Sequence, residues 1–416
     1  MQVMKWSVIA MAVAAGTSQM ALASSQSESE GFVEGSSLTI FNRNLYMNRD
    51  FRGDGGQSYR EAWGHGFIGT FESGFTQGTI GVGVDAIGLL GVKLDSGEGR
   101  AWPDIFPQDS DGKPQDDYSH AGAAVKFRVS DTVLKYGTQF VALPVFSTDD
   151  ARLLPETAQG GLITSSEIDG LELNVGRFTA LSAKSEADHD SRSLEELSLV
   201  GGTYAFSDQL SASLYYSDVK SNEEADSDFT KKYANLNYAM PVGEDQSVAL
   251  DFNIYQTEWD DADDSENVIW SLAGTYKLGA HGFTLAYQKS TGDRAYTYGP
   301  DGGGTIWLAN SVQYQDFHYE NEKSWQVRYD LDMSAYGVSG LSFMTRYIDG
   351  SDATNGAGVS GLEESEWDIE AKYVFQEGPA KDLSLRVRQA FYQADSALDN
   401  DLSDTRLIIE YPLSIL

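Results

Sequence analysis

The chain has 416 residues, with 29 Lys and Arg against 63 Asp and Glu, a formal net charge of −34 and no cysteine. These numbers exclude a disulfide scaffold, a thiolate metal site and nucleic-acid binding through the bulk field. Glycine is frequent at 42, proline scarce at 9 and aromatic residues reach 12%, a mixture that predicts many short strands and turns.

The first segment, "MQVMKWSVIAMAVAAGTSQMALASSQ", carries one early charge at Lys5, an apolar stretch from Trp6 to about Ala15, and small residues at Ala21-Leu22-Ala23. That order predicts a cleaved secretory signal peptide over residues 1–23; the apolar part is too short to span a bilayer. Residues 24–36 are polar and predict a short flexible lead-in. Beyond them no apolar run approaches about 18 residues, so no transmembrane helix is expected.

From residue 37 to 416 the chain reads in period two as one domain. Strands are predicted over 37–47, 63–75, 79–91, 121–130, 132–140, 162–168, 170–180, 195–206 and 209–219, then over 230–240, 246–258, 267–277, 281–290, 324–333, 340–349, 366–376, 382–393 and 404–414. In "SWQVRYDL", for example, Trp325, Val327, Tyr329 and Leu331 alternate with Gln326, Arg328 and Asp330, which argues strand over helix. Connections alternate between short ones such as 130–131 and 169–170 and long ones such as 92–120, 141–161 and 291–323. An even number of strands with turns at one end and loops at the other predicts an all-β, 18-stranded antiparallel transmembrane barrel of the bacterial outer membrane. A soluble sandwich does not require that alternation of connections. The acidic stretches 221–228 and 260–266 fall in long connections and read as solvated loop tips in preference to divalent-cation sites. "DSDG" at 109–112 lacks the downstream Glu of a calcium loop.

The alternation also sets where charges point. In "DLSLRVRQAF", Leu383, Leu385 and Val387 suit lipid, which turns Arg386 and Arg388 into the lumen. The opposite register would put arginine on hydrocarbon, costing about 2–4 kcal/mol each near the midplane. The same test sends Arg328, Arg346, Lys372 and Arg406 inward, with Arg43 on the first strand and Lys126 and Arg128 farther round. A basic stripe inside an acidic molecule follows, partly offset by Glu370, Asp330, Asp368 and Glu410. Low-dielectric walls focus the field of such a stripe, and lines of basic side chains in a pore favour anionic solutes.

The segments "GFVEGSSLTIFNRNLYMNRDF", "TFESGFTQGTIGVGVDAIGLLGVKLD", "DGKPQDDYSHAGAAVKFRVS", "LANSVQYQDF", "EKSWQVRYDL" and "DLSLRVRQAF…EYPLSIL" resemble the OprD-type substrate-specific outer-membrane porins. The resemblance runs from about Gly31 to Leu416. It implies a narrow channel for small carboxylate-bearing nutrients, a basic ladder that guides the carboxylate, and a third outer loop folded into the lumen. Carried onto this chain, the ladder matches Arg386, Arg388 and Arg406 best. The constriction loop matches 142–161 with Arg152 as its anion contact, and "NSVQYQDF" offers Tyr314 and Asp316 for the acidic side. Loops 181–194, 259–266 and 350–365 look short beside those of the family's basic-amino-acid members, which leaves aromatic acids such as benzoate beside amino acids as solutes.

Expected partners are small carboxylate solutes, outer-membrane lipid and lipopolysaccharide, with no nucleic acid and at most a weak homotrimer. No cofactor or metal is implied. Two other functions compete: a weakly selective general porin, and an outer-membrane hydrolase needing a Ser–His pair. No G-x-S-x-G occurs, and the histidines 65, 120, 189, 281 and 318 fall mostly in predicted loops or turns.

Overall fold

A computed structural model describes residues 25–416 except 53–56, 103, 223–227 and 262. The expected signal peptide, and most of the acidic stretch 221–228, lie outside the described residues.

The chain runs through β1 (Ser37–Phe51), β2 (Tyr59–Glu72), β3 (Gly81–Asp95), β4 (Asp117–Val129) and β5 (Thr132–Gln139) into a small hairpin, β6 (Ala142–Leu143) and β7 (Phe146–Ser147). It continues through β8 (Thr157–Ile168), β9 (Leu171–Ser182), β10 (Leu194–Ala205), β11 (Leu210–Ser221), β12 (Phe229–Gly243), β13 (Gln246–Trp259) and β14 (Glu266–Leu278). The last strands are β15 (His281–Gly292), β16 (Lys323–Asp332), β17 (Leu341–Ala353), β18 (Leu362–Val374), β19 (Ser384–Ala394) and β20 (Leu402–Ser414). All but β6 and β7 form one 18-stranded sheet, each strand antiparallel to its chain neighbours. β20 pairs with β1, Glu410 opposite Arg43 and Asp404 opposite Arg49, so the sheet closes without an edge.

The faces are inverted relative to a soluble protein. Leu214 is 69% and Leu285 66% exposed on the outside, whereas Asn253 is 4% and Glu366 0% exposed on the inside. A continuous apolar outer band is what hydrocarbon accepts and water does not. β3 shows the cause in its sequence: in "GVGVDAIGLL" every second residue is buried and its neighbour exposed.

Strands and connections fall in the predicted order, with strands extending farther at the loop end. Asn48, Arg49 and Asp50 pair with Glu61, Arg60 and Tyr59, beyond the predicted limits at 47 and 63. Apolar alternation stops where hydrocarbon stops, but backbone hydrogen bonding does not depend on side-chain polarity. At the turn end, connections shrink to pairs such as Asp169-Gly170, where Gly170 takes φ +75°.

The polar lead-in is held, not loose. Gln26 is buried against β3, its Nε2 donating to the Thr76 carbonyl at 2.8 Å and its Oε1 accepting from Arg128 Nε at 2.9 Å. A Cβ on Gly81 would lie 2.2 Å from Gln26 Oε1, so the small residue there makes room for the segment. The hydrogen bonds of Gln26 thus tie down a stretch whose composition alone suggests flexibility.

Candidate functional site

Two loops fill much of the lumen. Residues 140–156 carry Val141, Leu143, Val145, Phe146, Leu153 and Leu154, all buried. Standing in water, this loop would expose them; folded inward, it seats them on two apolar patches of the wall. On one side Phe146 meets Phe178 with ring centroids 4.4 Å apart, and the Tyr255 hydroxyl donates to the Pro144 carbonyl at 3.1 Å. On the other, Leu153 packs over Gly64 and Gly66 of β2, where added Cβ atoms would sit 2.7 Å from Leu153 Cδ2 and its carbonyl oxygen respectively. The loop therefore crosses the bore as the inward-folded third loop.

Residues 293–322 form the second infolded loop. Lys231 of β12 pairs with Asp301 and also reaches the Tyr296 hydroxyl at 3.2 Å, anchoring the first half across the lumen. The second half is pinned by buried carboxylates of the closing strands. Glu366 accepts the backbone N–H groups of Tyr314 and Gln315, both at 2.9 Å. Asp404 accepts Gln313 Nε2 at 3.0 Å.

Between these loops and the wall of β16–β20 and β1 run the charges. Register brings Lys372 opposite Arg386, and Arg388 opposite both Glu370 and Arg406. Arg386 and Arg388 share one carboxylate: their Nε atoms lie 3.6 and 3.2 Å from the two oxygens of Glu370, and neither Nε has a hydrogen-bond partner among the described residues. Arg346 donates to Asp368 at 2.7 Å, Arg328 to Asp330 at 2.8 and 2.7 Å, and Arg406 to Asp404 at 2.7 Å. The stripe is therefore a series of ion pairs with local cationic excess at Arg386, Arg388 and Lys372, not a uniformly basic wall.

Arg152 projects from the crossing loop toward this wall. Its Nη2 is 3.9 Å from Asp104, and its buried Nε makes no hydrogen bond among the described residues. Burial first, and the neighbouring Arg406 next, pull its guanidinium below the ordinary arginine value. A guanidinium crowded in this way gains from an incoming anion. Tyr314 covers Arg49, whose Cζ is 4.3 Å from the ring centroid, and donates its hydroxyl to Asp399. Asp316 accepts from Ser311 Oγ at 2.6 Å and from the Tyr298 hydroxyl at 2.5 Å.

Three expected ladder residues lie elsewhere or are otherwise engaged. Arg43 faces the lumen but is used as a loop anchor, donating to Asp150 at 2.7 and 3.0 Å, to the Arg152 carbonyl at 2.8 Å and to Glu410 at 3.2 Å. Lys126 and Arg128 face inward at the turn end of β4, away from the closing strands. Lys126 pairs with Asp85 at 2.7 Å, Arg128 holds Gln26, and both cover the Phe75 ring. Period two gives the direction of a side chain but neither its height along the bore nor its partner.

The same reasoning misses Arg49 and Asp404. Arg49 lies between the Trp102 and Tyr314 rings, at 4.7 and 4.3 Å, and donates to Asp404. Its even spacing from Arg43 is the signal in the sequence, but it lies past residue 47, where the predicted first strand ends and the observed β1 continues to Phe51. Three of the histidines sit at separate places in the barrel. His120 Nε2 meets Thr157 Oγ1 at 3.0 Å, His281 lies between the Tyr329 and Tyr336 hydroxyls, and His65 is on the outer face beside Phe67.

Residues 30–415 match the family model described as "outer membrane porin, OprD family". The chain belongs to the OprD family. It is 46% identical to "Porin D" of Pseudomonas aeruginosa, the match covering 100% of both chains. Among solved structures it is similar to Acinetobacter baumannii OccAB1, with 32% identity, a TM-score of 0.88, and 94% of this chain and 100% of that one covered. It is also similar to Pseudomonas aeruginosa OpdK crystallised with vanillate, at 35% identity and TM-score 0.84, covering 92% and 100%. This OprD-family chain is a substrate-specific porin of the bacterial outer membrane.

Proposed function

We propose that this porin passes small carboxylate-bearing solutes, either amino acids or aromatic acids such as benzoate. The observation that carries the reading is the unequal sharing of charge on the inner faces of β18 and β19: two arginines and Lys372 stand at adjacent register positions around the one carboxylate of Glu370, and the two arginine side chains stay 27% and 20% exposed. A solute carboxylate meets the exposed part of these side chains and supplies the second negative charge. The crowded Arg152 offers an earlier station at the loop crossing, beside Arg406. The solute enters between the two loops, exchanges water for guanidinium N–H groups there, and passes on to Arg388, Arg386 and Lys372 toward the turn end. Glu370 and Asp404 keep each station weak enough to release, as conduction requires. The relative crystallised with vanillate, itself an aromatic carboxylate, supports the same solute class.

Planar-bilayer recording tests the reading. The wild-type channel is expected to show small conductance and added current noise with benzoate or an amino acid. Changing Arg386→Ser together with Arg388→Ser is expected to weaken that block roughly tenfold, the loss of one charge-assisted contact, and to lower anion preference. Unchanged block and selectivity in the double variant would remove the ladder. A wide, indifferent wild-type pore would favour the general-porin alternative.

A further inference from the structure

Asp404 is an acid in the middle of the proposed anion path, and its carboxylate is completely buried. It is the meeting point of three elements. Oδ1 accepts Arg406 Nε at 2.7 Å and Gln313 Nε2 at 3.0 Å; Oδ2 accepts Arg49 Nε at 3.1 Å and Nη2 at 2.9 Å. Four N–H donors thus converge on one carboxylate.

Each arginine is consequently held along one edge. Arg49 uses Nε and Nη2 on Asp404 while its plane lies between the Trp102 and Tyr314 rings. Arg406 uses Nε on Asp404 and Nη2 on the Gln313 carbonyl at 2.7 Å. Nη1 of both residues makes no hydrogen bond among the described residues. Two guanidiniums brought to one carboxylate would otherwise repel each other and take up separate rotamers.

We propose that Asp404 is a positioning residue for the solute path: it fixes Arg49 and Arg406 so that their free Nη1 groups, with Arg152, present donors at the constriction, and it holds the 293–322 loop in register through Gln313. This rests on the carboxylate reading above. It runs against simple charge counting, by which an acid in an anion path only weakens attraction.

That opposition makes the test decisive. Wild-type, Asp404→Asn and Asp404→Glu channels, each as the full chain, are compared in planar bilayers for benzoate block and for the reversal potential in a potassium chloride gradient. The Asn variant adds one net positive charge to the lumen, so charge alone predicts tighter block and a shift toward anion preference. Positioning predicts a block about tenfold weaker despite that added charge, because an amide cannot accept from both arginines as a carboxylate does. The Glu variant keeps the charge and displaces the acceptor; weaker block with an unchanged reversal potential is expected, and any loss there is geometric. If the Asn variant fails to assemble a heat-modifiable barrel, the Glu variant decides. Wild-type block by Asp404→Glu, or tighter block by Asp404→Asn, overturns the positioning role with the pathway reading intact. Absence of benzoate block in the wild-type channel itself overturns both.

Discussion

The inner wall has two unlike sectors built by the same alternation. Along β8–β14 it presents Phe178, Leu197, Leu199, Tyr233, Tyr255 and Ile269, packed against Phe146 and Leu308 of the two infolded loops. Along β16–β20 the equivalent positions are Arg328, Arg346, Asp368, Glu370, Arg388 and Asp404, joined in ion pairs. The apolar sector excludes water and fixes the loops; the ionic sector stays polar and leaves donors for a solute. A barrel this wide would be an open aqueous channel if both sectors were ionic, and would be solid if both were apolar. Selectivity thus depends on one half of the wall seating loops that define the path along the other.

The largest expected effect comes from breaking a fully buried ion pair inside the apolar sector. Lys231 and Asp301 are 1% and 0% exposed, and Lys231→Met leaves the aspartate buried without its partner. A loss of about 3–5 kcal/mol is expected, read as a lower unfolding midpoint in detergent. Conductance should rise as the 293–322 loop comes away from β12. An unchanged midpoint and conductance would show that the anchor does not hold the loop.

An intermediate effect is expected from Gly64→Val on the second apolar patch. Its Cβ would meet Leu153 Cδ2 at 2.7 Å and Phe106 Cζ at 2.8 Å. Overpacking of this kind costs about 1–3 kcal/mol, and displacement of Leu153 should move Arg152 with it. Weaker carboxylate block without any change to a charged residue would tie the apolar seat to the ionic path; wild-type block would separate them.

The smallest effect is a pH slope. Glu322, at the end of the second loop, is held well above the ordinary carboxyl range, by burial first and by Glu364 next. Its Oε2 accepts the Tyr319 N–H at 2.9 Å, and its Oε1 is buried without a partner among the described residues. With the loop packed the group keeps its proton in a pH range where a loosened loop has lost it. Stability is therefore full below the ordinary glutamate range and declines as pH rises from there toward the raised value. Glu322→Gln should flatten the dependence of the unfolding midpoint on pH; an unaltered slope would assign it to another group.

The closing strands show how much of this was legible in the residues. Arginine beside leucine in "LSLRVRQAF" leaves only one affordable orientation against lipid, so Arg386 and Arg388 could be turned inward from spacing alone. The same rule turns Lys126 and Arg128 inward but could not tell that Asp85 and Gln26 engage them and that they cover Phe75. Arg43 reads as a ladder residue until Asp150 arrives from a loop 107 positions away.

The order of residues along the chain is enough to specify the barrel, the strand order and which face of each strand meets lipid, because a two-residue period against hydrocarbon admits a single register. Which inward charges remain available to a solute depends on the folded arrangement. Asp404 becomes an acceptor for both Arg49 and Arg406 only after β20 closes on β1 and the loop carrying Gln313 folds in. Pairing across the bore depends on three-dimensional proximity, and a local pattern of side chains carries no record of it.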